Sequence, residues 1–549
     1  MRRQYTSPAN AQGAIRQVID AHVEDIPPRL LDTSTGHLCD REAQINAFKA
    51  SLEYEELLAF TIKDADPQLK RVQDVVFTFF QHVMLSHKWE GQEPLLHDIR
   101  GSSVYECNQL DGISKLQFFC KTVRDLGFRW AWIDTCCIDQ NNNVEVQRSV
   151  NSMFAWYHRS ALTIIYLSDV PPSSKSGAIA KCVWITRGWT VQEFLAPKVV
   201  LFYQNDWTLY LDDRSPNHKE SAGIMRELED ATGINARALT AFRPGMRSAR
   251  EKLQWASMRV TTLPEDTAYS LFGIFGVQLP VIHGETKQNA LGRLLQEIIA
   301  LSGDISCLDW VGRSSEFNSC LPANITSYAA PPFVVPSLSE DEMQTSVSSL
   351  RGTGVVELAS QLYITLDLLA APRFAQRRLF LPCIVFTVTQ VVLSPSQEQE
   401  TRFTYTVKAN GLHDLLITTE DNLIPFSRKM PNRQKLLLVH PWDRNLMELY
   451  DIAEPSSLAD HDAQSVGTEH STTVPDSSLG DSDNVPDSES DSRALRLVVG
   501  LGQPFRALLL VTARGREYKR IATDHDIVAQ VKNMGSIRDL MDVKTLEIL

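Results

Sequence analysis

The sequence predicts an α/β domain built on a parallel sheet, then a helical region, then a C-terminal all-β domain with a disordered acidic insertion. Three observations predict it. Between residues 76 and 225, short runs that are apolar throughout alternate with amphipathic helical stretches, the pattern of a parallel sheet covered on both faces. From about residue 350 the hydrophobic period changes to two. Between Glu454 and Ser492 stand ten acids and no Lys or Arg, in a stretch too poor in large apolar residues to order itself.

Residues 1–75 read as a mostly helical extension ending in the charged "KDADPQLKR". The first sheet strand, 83–86, closes "VVFTFFQHVMLSH". A helix over 115–126 gathers Leu116, Phe119, Cys120 and Val123 on one face. Strand 128–134 follows, then helix 144–158 with Val146, Val150, Met153, Phe154 and Tyr157 at its apolar positions. Strand 161–167, a polar loop, the short helix of "RGWTVQEFL" and strand 198–203 complete the domain 76–225. Residues 226–330 are mainly helical; in "LPEDTAYSLFGIFG" Pro264 sits at a first helical position with acids behind it. Runs such as "QLYITLDLL", "LFLPCIVFTVTQVVL" and "ALRLVVGLGQPFRALLLVTARG" read as strands of one β-rich domain, 331–453 and 493–549, interrupted by 454–492.

The formal charge is -13, and setting the ten clustered acids aside leaves -3. Near-neutral folded parts give no electrostatic case for nucleic acid. Nine cysteines without CxxC or metal-ligand spacing fit reduced thiols in the cytoplasm and no metal site. The opening residues lack the apolar core of a signal peptide, and no run nears the ~18 apolar residues of a membrane span.

Ligands of open parallel sheets bind at the carboxyl ends of the strands. Three stretches arrive there. "LSHKWEGQE" brings Ser86, His87 and Trp89; "WIDTCCIDQNNN" brings Asp134, Cys137, Asp139 and Gln140; "TRGWTVQE" brings Arg187, Trp189, Gln192 and Glu193. Glu193 follows Trp189 by four, so on a helix the two share a side. The helix dipole favours a carboxylate near the helix start. The expectation is a charged Glu193, half-shielded at a crevice; the alternative is an acid that only stabilises its helix. Arg187 meets a phosphate or pairs with Glu193. Trp89 and Trp189 stack on a planar ring or simply pack. Asp134, Asp139 and Gln140 shape a pocket or serve turn chemistry. Cys136 and Cys137 with His87 raise a cysteine hydrolase, although buried inert cysteines are commoner. Ser86 lies in no G-x-S-x-G elbow.

The stretches "VMLSHKWEG", "WAWIDTCCIDQNNNVEVQRSVNSMFAWYHRSALTIIYLSD" and "RGWTVQEFLAPKVVLFYQNDW" resemble the three signature blocks of the fungal HET (heterokaryon incompatibility) domain. "WASMRVTTLPEDTAYSLFGIFGVQLPVIHGETKQNALGRLLQEI" resembles the segment that follows it, and the likeness runs over about residues 80–310. The C-terminal β region is similar to one carried by basidiomycete relatives. The resemblance implies a TIR/flavodoxin-like fold. It also implies a site in which Glu193, in a W-x-x-x-E context, cleaves the nicotinamide–ribose bond of NAD, with NAD as substrate and no cofactor. Self-association through the domain, and cell death by loss of NAD, are implied with it. The C-terminal β domain is left for a protein partner or for holding the first domain inactive. The competing expectation is a self-associating signalling module without catalysis.

Overall fold

The computed structural model describes residues 7–63, 69–107, 112–352, 354–394, 402–423, 435–444, 447, 487–513, 515–533 and 537–549. Of the expected acidic insertion, 454–486 lie outside these residues. The chain divides into two compact units, Met1–Ile298 with Asn324–Ala329, and Ile299–Ala323 with Ala330–Leu549.

The first unit holds a six-stranded sheet of β1 (Arg29–Asp32), β2 (Leu38–Asp40), β3 (His82–His87), β4 (Trp130–Trp132), β5 (Leu162–Tyr166) and β6 (Val200–Tyr203), in the order β2-β1-β4-β3-β5-β6. Strands β3 to β6 are mutually parallel. Every residue of these four strands is buried, which is why the runs are apolar on both faces rather than alternating. The N-terminal segment is not only helical. Between its helices α1 (Pro8–Glu24), α2 (Arg41–Lys49), α3 (Leu52–Lys63) and α4 (Leu69–Phe79) it supplies β1 and β2; β2 is the edge strand, and β1 runs antiparallel to both β2 and β4. Strands of four and three residues are too short to carry a period, and their pairing is decided by tertiary contact.

The crossovers carry α5 (Leu96–Ile99), α6 (Ile113–Asp125), α7 (Asp134–Cys137), α8 (Asn143–Arg159) and α9 (Thr190–Leu195). Helix α6 buries Leu116, Phe119, Cys120 and Val123, the face read from the spacing. Helix α8 is capped by Asn142, whose side-chain oxygen accepts from the amides of Val144 and Glu145. It buries Met153, Phe154 and Tyr157, but Val146 and Val150 stay half-buried. The helix Phe272–Phe275 closes on α8 through Gly273, where an added Cβ would lie 2.2 Å from the Cβ of Phe154. Backbone must therefore move to admit any side chain. We expect Gly273→Ala to cost about 1–3 kcal/mol of stability, measured by urea unfolding.

The second unit is β-rich but not all-β. Its strands are β7 (Arg373–Ala375), β8 (Arg378–Leu393), β9 (Phe403–Ala409), β10 (Leu415–Thr419), β11 (Leu436–Pro441), β12 (Phe505–Thr512), β13 (Glu517–Arg520), β14 (Ile527–Ala529) and β15 (Val543–Ile548). Pairing runs β8-β11-β12-β13-β15 and returns from β15 to β8, so these five strands close a ring. Two runs expected as strands are helices. "QLYITLDLL" lies largely in the helix Val356–Asp367, where Ala359, Leu362 and Leu366 are buried on one face. "ALRLVVGL" ends the helix Asp487–Leu501, which starts inside the segment expected to be disordered. Ala494, Leu495, Leu497, Val498, Val499 and Leu501 of that helix are all buried in the core. Alternating apolar residues, Leu362, Ile364 and Leu366 in one run and Leu495, Leu497 and Val499 in the other, suggested period two; the helical arrangement won because both helices bury apolar residues in the unit's core.

Candidate functional site

A cavity of about 480 Å³ opens in the first unit. That volume lies within the range of small-molecule sites. One side comes from the ends of β3 and β4 and from α8: His87, Trp89, Asp134, Gln140 and the half-buried Val146 and Val150. Arg187, Trp189 and Glu193 come from the turn into α9. The opposite side is built by Leu263, Glu265, Asp266, Tyr269 and His283, from the helical region that follows the sheet.

Glu193 is 8% exposed. Its Oε2 accepts from the Ser86 hydroxyl at 2.5 Å, and Ser86 Oγ in turn accepts from Trp184 Nε1 at 2.7 Å. Trp184 fixes which way the serine donates. Oε1 has no hydrogen-bond partner among the described residues. Burial pushes the Glu193 carboxyl up to about 8, with the Asp134 charge adding to it; the Ser86 hydrogen bond and the charges of Arg187 and Arg259 oppose it. The expected charged, half-shielded carboxylate is thus corrected. Glu193 is mostly protonated at neutral pH, because the dipole of a six-residue helix does not offset so much desolvation. Removing the donor in Ser86→Ala will raise the pH at which Glu193 ionises. It will also leave Trp184 Nε1 buried without an acceptor, at about 1–3 kcal/mol; carboxyl titration and melting measure the two effects.

Asp134 behaves in the opposite way. Burial works against its charge, but His87 and Trp89 outweigh burial, with Lys115 adding its charge, and hold the carboxyl below its usual range. His87 Nε2 lies 3.1 Å from Asp134 Oδ1, and Trp89 Nε1 donates to Oδ2 at 2.7 Å. Both Asp134 oxygens are therefore engaged. Trp89, 37% exposed, is held as a fixed plate at the cavity. Across the cleft Trp189 Nε1 donates to Asp266 Oδ2 at 2.9 Å.

Of the residues singled out in the sequence, His87, Trp89, Asp134, Gln140, Arg187, Trp189 and Glu193 line the one cavity. Ser86 stands directly behind Glu193. Arg187 makes no ion pair with Glu193, and its guanidinium carries no side-chain partner among the described residues. Three candidates fall elsewhere. Gln192 is buried beside Met153. Asp139 organises its own turn, its Oδ1 accepting from the Asn141 amide. Cys137 is 1% exposed and does not line the cavity, and burial raises the neighbouring Cys136 thiol well above its ordinary range. None of the nine cysteines forms a disulfide with another. No group of His, Cys, Asp and Glu among the described residues could hold a metal, and no helix among them is long and apolar enough to cross a membrane.

Sequence reasoning missed Trp184, Arg259, Glu265, Asp266 and His283. Arg259 Nη1 donates to the carbonyls of Ile185 and Arg187 and to Thr190 Oγ1, fixing the turn that delivers Glu193. The acids after Pro264 read as helix-start residues, and nothing local marked them as facing a cleft.

A largely parallel sheet covered by helices, with a carboxyl-bearing cleft where open α/β sheets take their ligands, defines the class: an open-sheet α/β domain. Residues 82–180 match the family described as Heterokaryon incompatibility protein (HET). The vegetative incompatibility protein HET-E-1 of Podospora anserina is 37% identical over 228 residues, 40% of this chain and 16% of that protein. The chain carries a HET domain, and it spans 16% of the length of that relative. No solved structure matches it.

Proposed function

We propose that this is a cytoplasmic protein of fungal non-self recognition whose TIR-like cleft hydrolyses NAD. The observation that carries the reading is the Glu193 carboxyl, one oxygen held by Ser86 and the other without a partner among the described residues, on a cavity that also bears Trp89, Trp189 and Arg187. The order β4-β3-β5-β6 supports the TIR-like assignment, since it is the 2-1-3-4 order that begins flavodoxin-like sheets.

In the reaction the bond between ribose C1′ and the nicotinamide nitrogen breaks, and the electron pair leaves with nicotinamide. Water adds to C1′ and releases a proton, giving ADP-ribose. The leaving group needs no acid. Ionised Glu193 stabilises the positive charge that develops on the sugar and accepts from its hydroxyls. Arg187 meets the pyrophosphate and the tryptophans flank the rings. Self-association through the domain, and cell death by NAD depletion, complete the proposal.

A cysteine hydrolase is disfavoured by the seclusion of Cys137. A non-catalytic signalling module is the remaining rival. Purified protein at high concentration, incubated with NAD and resolved by chromatography, should yield nicotinamide and ADP-ribose in equal amounts. Unchanged NAD across assembled and dilute protein supports the rival.

A further inference from the structure

The family match ends at residue 180, before Glu193 and before the cleft's second side. That side is nevertheless locked to the Glu193 turn. Arg187 and Val260 form a parallel bridge; the Gly188 amide donates to Val260 O at 2.9 Å, and the Val260 amide to Thr186 O at 2.7 Å. A Cβ at Gly188 would lie 2.5 Å from Thr261 Cγ2, so this close approach requires glycine. Arg259 ties the same two segments through three hydrogen bonds. Six residues beyond Val260, Asp266 accepts from Trp189 Nε1.

The two cavity tryptophans are treated alike and differ from those that only pack. Trp130, Trp132 and Trp184 are almost fully buried. Trp89 and Trp189 keep part of their rings open to the cavity, and each indole N–H is anchored on an aspartate, Asp134 and Asp266. A ring free on one face and tethered at its edge is a flat wall of fixed orientation, suited to a planar aromatic ligand. Tethering such a side chain before binding also reduces the ordering cost of capture.

We propose that Asp266 is a positioning residue that sets Trp189 as the ring-binding wall of the cleft, so that the functional unit extends through residues 259–285. The activity readout rests on the NAD reading. Asp266→Ala and Trp189→Phe are each expected to raise the KM for NAD about tenfold, about 1.4 kcal/mol, with kcat changed less than about threefold. The double variant should be no worse than either single one, because both remove the same hydrogen bond. Asp266→Asn, whose carbonyl still accepts from the indole, should restore KM. Loss of kcat at unchanged KM, or full additivity in the double variant, overturns the proposal.

A second measurement is independent of turnover. With 5-fluorotryptophan incorporated, the fluorine resonance lost in Trp189→Phe should shift in Asp266→Ala and hold its position in Asp266→Asn. A resonance indifferent to Asp266→Ala overturns the proposal even where NAD is cleaved. Absence of NAD cleavage in every form, with the resonance behaving as expected, refutes the NAD reading and leaves the positioning intact.

Discussion

Glu193→Gln is expected to lower kcat for NAD cleavage by about 10²–10³-fold, the scale of losing a transition-state electrostatic partner. KM should change little. Glutamine keeps the shape of the protonated carboxyl and its Oε1 can still accept from Ser86, so the Trp184–Ser86 hydrogen bond survives. It cannot ionise, and the charge that stabilises the developing oxocarbenium is gone. The variant should melt no lower than the parent at pH 7.5, which separates loss of chemistry from loss of fold. Equal nicotinamide release by the two proteins would remove Glu193 from the mechanism.

The same substitution should change how stability responds to pH. The Glu193 carboxyl has its folded pKa raised from 4.5 to about 8. Between those values the native state holds a proton that the unfolded chain has lost. Stability is therefore greatest below the lower value, falls as pH rises, and levels off above the higher one. At about 1.4 kcal/mol for each pKa unit, the loss amounts to several kcal/mol. Glu193→Gln should match the parent near pH 4.5 and become steadily more stable than it up to about pH 8. Lys219 has the opposite sign. Its Nζ donates to the carbonyls of Leu195 and Pro197 behind α9, and burial lowers its pKa from 10.5 to about 7. Stability from that group grows as pH climbs from the lower value to the higher, in parent and variant alike. Urea unfolding across pH 4.5–9 checks the difference between the two proteins. Parallel curves would mean that Glu193 titrates as an ordinary carboxyl.

Much of the parallel sheet was legible because burial on both faces forces β3, β5 and β6 to be continuous apolar runs. Helices α6 and α8 were legible because their buried faces repeat at three and four. β1 and β2 were hidden by their brevity. The helices at 356–367 and 487–501 were obscured by apolar residues, mostly leucines, that fall at alternate positions. In the site, seven candidates meet at one cavity: His87, Trp89, Asp134 and Gln140 follow the carboxyl ends of β3 and β4, and the long connection after β5 returns Arg187, Trp189 and Glu193 to the same end of the sheet. Asp266 and Glu265 were invisible as site residues because their approach to Trp189 depends on the bridge between Arg187 and Val260, a contact across 73 positions that no local pattern encodes. The charge state of Glu193 was misread for a related reason. The helix start is local and visible, whereas the desolvation that dominates is tertiary.

The most direct measurement is kcat/KM for NAD cleavage as a function of pH, from about 6 to 9.5, since it reports the ionisation of groups in the free enzyme. The account requires an ionised Glu193 in a site that holds it protonated at neutrality, so kcat/KM should climb through a midpoint near pH 8 and then level. In Ser86→Ala the midpoint should move to higher pH. A rate that is flat across the range, or that falls as base is added, would contradict the assignment of Glu193 as the working carboxylate.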